Sequence, residues 1–166
     1  MIDRAEMSLD NSVLYYGGAV SIGTGWVDNL YNYNSNEIGW DAQVWWGNSP
    51  ATSPEGFREG EVATLNITDS IVRNIGGGNG NDSAHFQVGG TVYGSGPLVG
   101  KDFAGVLNLT NSELYTTMYN SNGEVMEREG DLLVVKSNGT VNMKDSKLVT
   151  SEVTNEGVFT VSGEAP

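Results

Sequence analysis

Apolar and polar side chains alternate along residues 139–144, GTVNMK, and the pattern returns along residues 157–162, GVFTVS. A period of two belongs to a strand with one buried face. Laid on each other at an offset of 18 residues, Gly139 matches Gly157, Val141 matches Phe159 and Met143 matches Val161. The same offset matches Val135 to Val153. A looser form of the phrase recurs upstream. Residues 6–16 read EMSLDNSVLYY, 64–74 read TLNITDSIVRN, 106–116 read VLNLTNSELYT and 141–151 read VNMKDSKLVTS. Each runs apolar, polar, apolar, one further residue, Asp or Asn, then Ser. The serines are Ser12, Ser70, Ser112 and Ser146, at unequal spacing.

So short an interval does not fit a propeller blade or a helical repeat. It fits one coil of a parallel β-solenoid, in which a short strand lies about 4.8 Å above its counterpart in the preceding coil. Inward residues then stack into a continuous core. The Asp/Asn-Ser pair is expected to make a corner, because short polar side chains bond to nearby backbone and tolerate unusual φ. Gly139 and Gly157 are expected to supply positive φ where the chain turns into a strand. The phrases SNGTVNM and TNEGVFTVSG resemble the coil motif of right-handed parallel β-helices, the pectin-lyase-like architecture of bacterial autotransporter passengers and surface adhesins. The resemblance covers residues 131–163 well and the earlier phrases in part. It implies right-handed winding, in line with the general rule for parallel crossovers. The fold class is therefore all-β, a single β-solenoid domain over residues 1–166; the alternative is an antiparallel β-sandwich built from similar strands.

Two segments depart from the pattern. Residues 17–61 hold all four tryptophans, Trp26, Trp40, Trp45 and Trp46, with Tyr31 and Tyr33 between them. A short helical turn is expected at Ser53, with Pro54 in its first position. This Trp-rich insertion either packs over an end of the solenoid or offers flat apolar faces to sugar rings. In the second case these six aromatics are the ligand-binding candidates, with Asn32, Asn34, Asn36 and Asp41 available to sugar hydroxyls. Residues 74–105 form a Gly-rich insertion, in which GGNGND at 77–82 resembles the start of the repeat-in-toxin calcium nonapeptide. Asp82 is the one candidate metal ligand. A single copy supplies fewer than the roughly six to eight oxygens that Ca²⁺ takes, so no cofactor is expected beyond that ion.

Composition narrows the partners. The chain of 166 residues carries 21 acidic and 8 basic residues, a formal net charge of −13. That charge repels nucleic-acid backbones and anionic lipid headgroups, so nucleic acid is not an expected partner, and without an apolar run of about 18 residues no membrane insertion is expected. With 23 glycines and no cysteine, the composition suits a turn-rich β protein without disulfides or thiolate metal sites. No signal peptide opens the sequence, and VFTVSGEAP ends it just after a strand-like run. A fragment of a longer exported chain is the expectation.

Enzymatic signatures are few. His85 is the sole histidine and reads as a strand residue beside Phe86. No nucleophile elbow, P-loop or dinucleotide fingerprint is present. Arg73 and Lys101 lie near the Gly-rich segment without a mark of catalysis. Four N-x-S/T sequons, at Asn66, Asn81, Asn108 and Asn138, read as turn and strand chemistry. The expected function is a secreted or cell-surface, adhesin-type binding module with glycan or host surface as partner. A carbohydrate-active enzyme (lyase or glycoside hydrolase) and a structural spacer are the alternatives.

Overall fold

The computed structural model describes residues 6–16, 20–23, 62–75, 86–91, 102–119, 122, 124–126 and 132–164. Among these the fold is all-β, and no described residue is helical. Thirteen strands fall into three sheets with parallel pairing. The first sheet runs β1 (Glu6–Asp10), β4 (Val62–Thr68), β8 (Asp102–Thr110), β13 (Gly139–Lys144) and β16 (Val158–Ser162). The second runs β2 (Val13–Tyr16), β5 (Ile71–Asn74), β9 (Glu113–Tyr115) and β14 (Lys147–Val149). The third runs β3 (Val20–Ile22), β6 (Phe86–Val88), β12 (Leu132–Val135) and β15 (Glu152–Asn155). Two short antiparallel pairings lie outside this scheme: β7 (Gly90–Thr91) on β8, and β10 (Met118–Tyr119) with β11 (Val125–Met126). The chain therefore visits the first, second and third sheets in strict rotation. Parallel pairing in all three excludes an antiparallel sandwich for these strands.

The period-two pattern explains which residues face in. On the first sheet Leu65, Leu107 and Val141 are in register, and so are Ile67, Leu109 and Met143. On the second, Val72 lies beside Leu114; on the third, Ile22, Val88 and Val135 form one row and Phe86 with Leu133 another. Side chains from the three sheets meet in one apolar cluster. Each fully buried Leu, Ile, Val or Phe contributes roughly 1.5–3 kcal/mol of transfer free energy.

The corners between the first and second sheets repeat almost without variation. Asn11, Asp69, Asn111 and Asp145 take φ of 44, 48, 47 and 50°, the left-handed region that Asn and Asp visit most readily after glycine. The serine that follows closes the corner. Its hydroxyl donates to the carbonyl two residues back, at 2.7 Å for Ser12, 2.6 Å for Ser70, 2.7 Å for Ser112 and 2.8 Å for Ser146. The same oxygen accepts the N–H of the serine on the preceding strand round: Ser12 N–H to Ser70 Oγ at 3.0 Å, Ser70 to Ser112 at 3.1 Å, Ser112 to Ser146 at 3.1 Å. The expected corner is thus observed.

Three expectations are corrected. Val135 does not lie beside Val153. Val135 pairs with Asn155, and Val153 pairs with Leu133, two residues out of the matched register. The cause is the third-to-first-sheet corner. Three residues separate β12 from β13 but only two separate β15 from β16, while Gly139 already pairs in β13 and Gly157 lies before β16. The 18-residue offset does hold on the first sheet, where Val141 pairs with Phe159 and Met143 with Val161. Second, Gly139 and Gly157 are not among the positive-φ residues. They are required by close approach instead: a Cβ would fall 2.2 Å from the Val88 carbonyl oxygen at Gly139, and 2.3 Å from that of Lys136 at Gly157. Third, the segments 17–61 and 74–105 are not wholly outside the sheets, since β3 and β6 pair within the third sheet and β8 begins at Asp102.

Candidate functional site

The outward face of the second sheet gathers aromatic and charged side chains into one patch. Tyr15, Arg73 and Tyr115 are register partners on β2, β5 and β9, with Val149 next on β14. One row nearer the serine corner lie Val13, Ile71, Glu113 and Lys147. Alternation sends Leu14, Val72, Leu114 and Leu148 inward, so these two rows point out.

Tyr115 is the hub. Although it faces outward it is only 5% exposed, because its neighbours cover it. The Arg73 guanidinium carbon sits 4.3 Å from the ring centroid and the Lys147 ammonium 5.4 Å from it. Such cation–π contacts are worth about 0.5–2 kcal/mol, more as water is excluded. The phenol donates to a Glu113 carboxylate oxygen, and Lys147 Nζ donates to the phenol oxygen at 3.3 Å. Lys147 also lies 3.9 Å from Glu113. From beneath, the Tyr16 hydroxyl donates to the Tyr115 carbonyl at 3.3 Å, while its ring meets Phe86 edge-on at 5.9 Å. Asn74 donates to the Thr116 carbonyl at 2.7 Å, fixing the end of the same strands.

Burial holds the Tyr115 phenol above its ordinary pKa. The bond to Glu113 and its negative charge push the same way, and Lys147 opposes them. The phenol therefore stays protonated at neutral pH and serves as a hydrogen-bond donor, not as a base. Tyr15, by contrast, is 60% exposed. The patch offers an accessible ring beside a guanidinium, an ammonium and a carboxylate, all within two adjacent rows. That set can take the apolar face of a ring and its hydroxyls together.

The six aromatics singled out in the sequence, Trp26, Tyr31, Tyr33, Trp40, Trp45 and Trp46, lie outside the described residues, as do Asp82, His85 and the turn expected at Ser53. The segment 24–61 leaves the chain after β3 and returns it at β4. Among the described residues no group of three or more His, Cys, Asp or Glu could hold a metal ion. Sequence reasoning passed over Tyr15, Glu113, Tyr115 and Lys147, and gave Arg73 no role. The signal was present: Tyr15, Arg73, Tyr115 and Val149 each stand three positions after a corner serine. No protein-family model matches the chain, and neither does any curated protein or solved structure.

Proposed function

We propose that the chain is a right-handed parallel β-helix acting as a binding module of an exported bacterial surface protein, with a neutral saccharide as its ligand. The rotation through three parallel sheets and the unbroken serine series support the winding, and the general handedness of parallel crossovers supports its sense. The observation that carries the ligand class is the second-sheet patch, with Tyr15 exposed beside Arg73 over Tyr115. A net charge of −13 disfavours anionic polymers and leaves neutral sugars as the matching chemistry. The tryptophans of the 17–61 insertion, outside the described residues, are the alternative site that the same experiment tests.

Titration calorimetry against a panel of neutral oligosaccharides tests this. The wild type is expected to bind at least one, and Tyr15→Ala to weaken that binding about tenfold, a loss of ~1.4 kcal/mol. Absence of binding across the panel contradicts the ligand class. Binding unchanged by Tyr15→Ala but lost on substituting Trp40, Trp45 or Trp46 moves the site to the Trp-rich segment.

A further inference from the structure

The second-sheet patch is not uniform along its rows. In the row nearer the serine corner, Val13, Ile71, Glu113 and Lys147 are consecutive register partners. An aliphatic pair therefore gives way to a charged pair one strand further on, about 4.8 Å away. Val13 is 54% exposed, and Ile71 beside it is half-buried. Tyr15 stands two residues along β2 from Val13, about 6.6 Å away on the same face. A sugar ring stacked on Tyr15 reaches the aliphatic pair with one of its substituents.

Glu113 has an oxygen to spare. Its Oε2 accepts from the Tyr115 phenol and lies 3.9 Å from Lys147 Nζ. Its Oε1 takes no hydrogen bond among the described residues, and the side chain is 27% exposed. A sugar hydroxyl placed over Val13 and Ile71 would give up its water and find no partner, which opposes binding. A methyl group in the same place gains by burial. The substituent that suits both neighbours carries a methyl group and, beside it, an N–H donor. Its methyl covers Val13 and Ile71, and its N–H donates to Glu113 Oε1, a charge-assisted bond. An acetamido group has that composition. A fucose residue brings the methyl without the donor, and an unacetylated hexose brings neither.

We propose that the saccharide held by this patch is an N-acetylhexosamine, with its ring on Tyr15 and its acetamido group across Val13, Ile71 and Glu113. The inference rests on the saccharide reading of the same patch and adds the substituent. The test is calorimetric titration of the purified chain with chitotriose and with cellotriose, which differ by acetamido groups in place of hydroxyls. The readout is the ratio of the two affinities, which damage common to both ligands leaves unchanged. The wild type is expected to prefer chitotriose about tenfold. Glu113→Ala is expected to bring the ratio close to one, and Val13→Ser, which leaves the Tyr115 hub untouched, to reduce it about threefold. Tyr15→Ala is expected to weaken both ligands and keep the ratio. Thermal melts by circular dichroism check that each variant is folded. Equal affinity of the wild type for the two trimers overturns the acetamido assignment and leaves the saccharide reading standing. So does a ratio unmoved in both folded variants, or tighter binding of a fucose-terminated oligosaccharide than of chitotriose. Absence of binding to every saccharide overturns both.

Discussion

Ser112 sits in the middle of the corner series and does three things with one hydroxyl group and one amide. Its hydroxyl donates to the Thr110 carbonyl, its oxygen accepts the Ser70 N–H, and its own N–H donates to Ser146. The residue is 1% exposed, so an orphaned partner has no water to turn to. Ser112→Ala leaves the Ser70 amide without that acceptor, and a loss of about 1–3 kcal/mol is expected from urea unfolding. Ser12→Ala, at the open end of the series, is expected to cost less. The reason these residues could be read from the sequence is chemical: a left-handed corner accepts Asn or Asp more readily than other side chains, and the hydroxyl must be small enough to turn back on its own strand. Tyr115 could not be read in the same way. An outward tyrosine looks like any exposed residue until Arg73, 42 positions earlier in the chain, is known to lie over it.

At the scale of strands, alternation specifies which face is buried but not which residue is opposite. A slip of two residues keeps every side chain on its face, and so the pairing of Leu133 with Val153 in place of Val135 escapes a pattern of period two. The third sheet was also the hardest to see. β3 and β6 have three residues each and lie in stretches dominated by Gly, Asn and Ser. Glycine marks where strands of different sheets crowd together. At Gly105 a Cβ would stand 2.1 Å from the Ile22 carbonyl oxygen and 2.6 Å from the Gly89 nitrogen, both backbone atoms that cannot swing away. Gly105→Ala is therefore expected to destabilise by about 1–3 kcal/mol through overpacking, even though alanine is the better strand former. A melting temperature equal to or above that of the wild type contradicts this account of the glycine.

Across the whole molecule the rounds of strands share one interior but not one length. Among the described residues the first sheet has one more strand in the parallel series than the second and third. At that last strand the inward residue Val161, partner of Met143, is 63% exposed. The all-β class was legible because each phrase carries the same period-two alternation of inward residues and the same Asp/Asn-Ser corner. The functional surfaces were not, because outward positions carry no periodic constraint and their residues converge only once the rounds are stacked. The fold rests on that stacking, with three sheets each paired in parallel and in the stated register. The chain has no cysteine, so introduced pairs report without interference. The measurement is oxidative cross-linking of three double variants, one per sheet: Val106→Cys with Thr140→Cys, Ile71→Cys with Glu113→Cys, and Val134→Cys with Thr154→Cys, all register partners. Neighbouring strands about 4.8 Å apart lie within disulfide reach, whereas a pair offset by two residues lies beyond about 7 Å. Intramolecular disulfides are expected in all three and none when Val106→Cys is combined with Asn142→Cys. Failure of any in-register pair to close in the folded protein, or closure of the offset pair as readily, contradicts it.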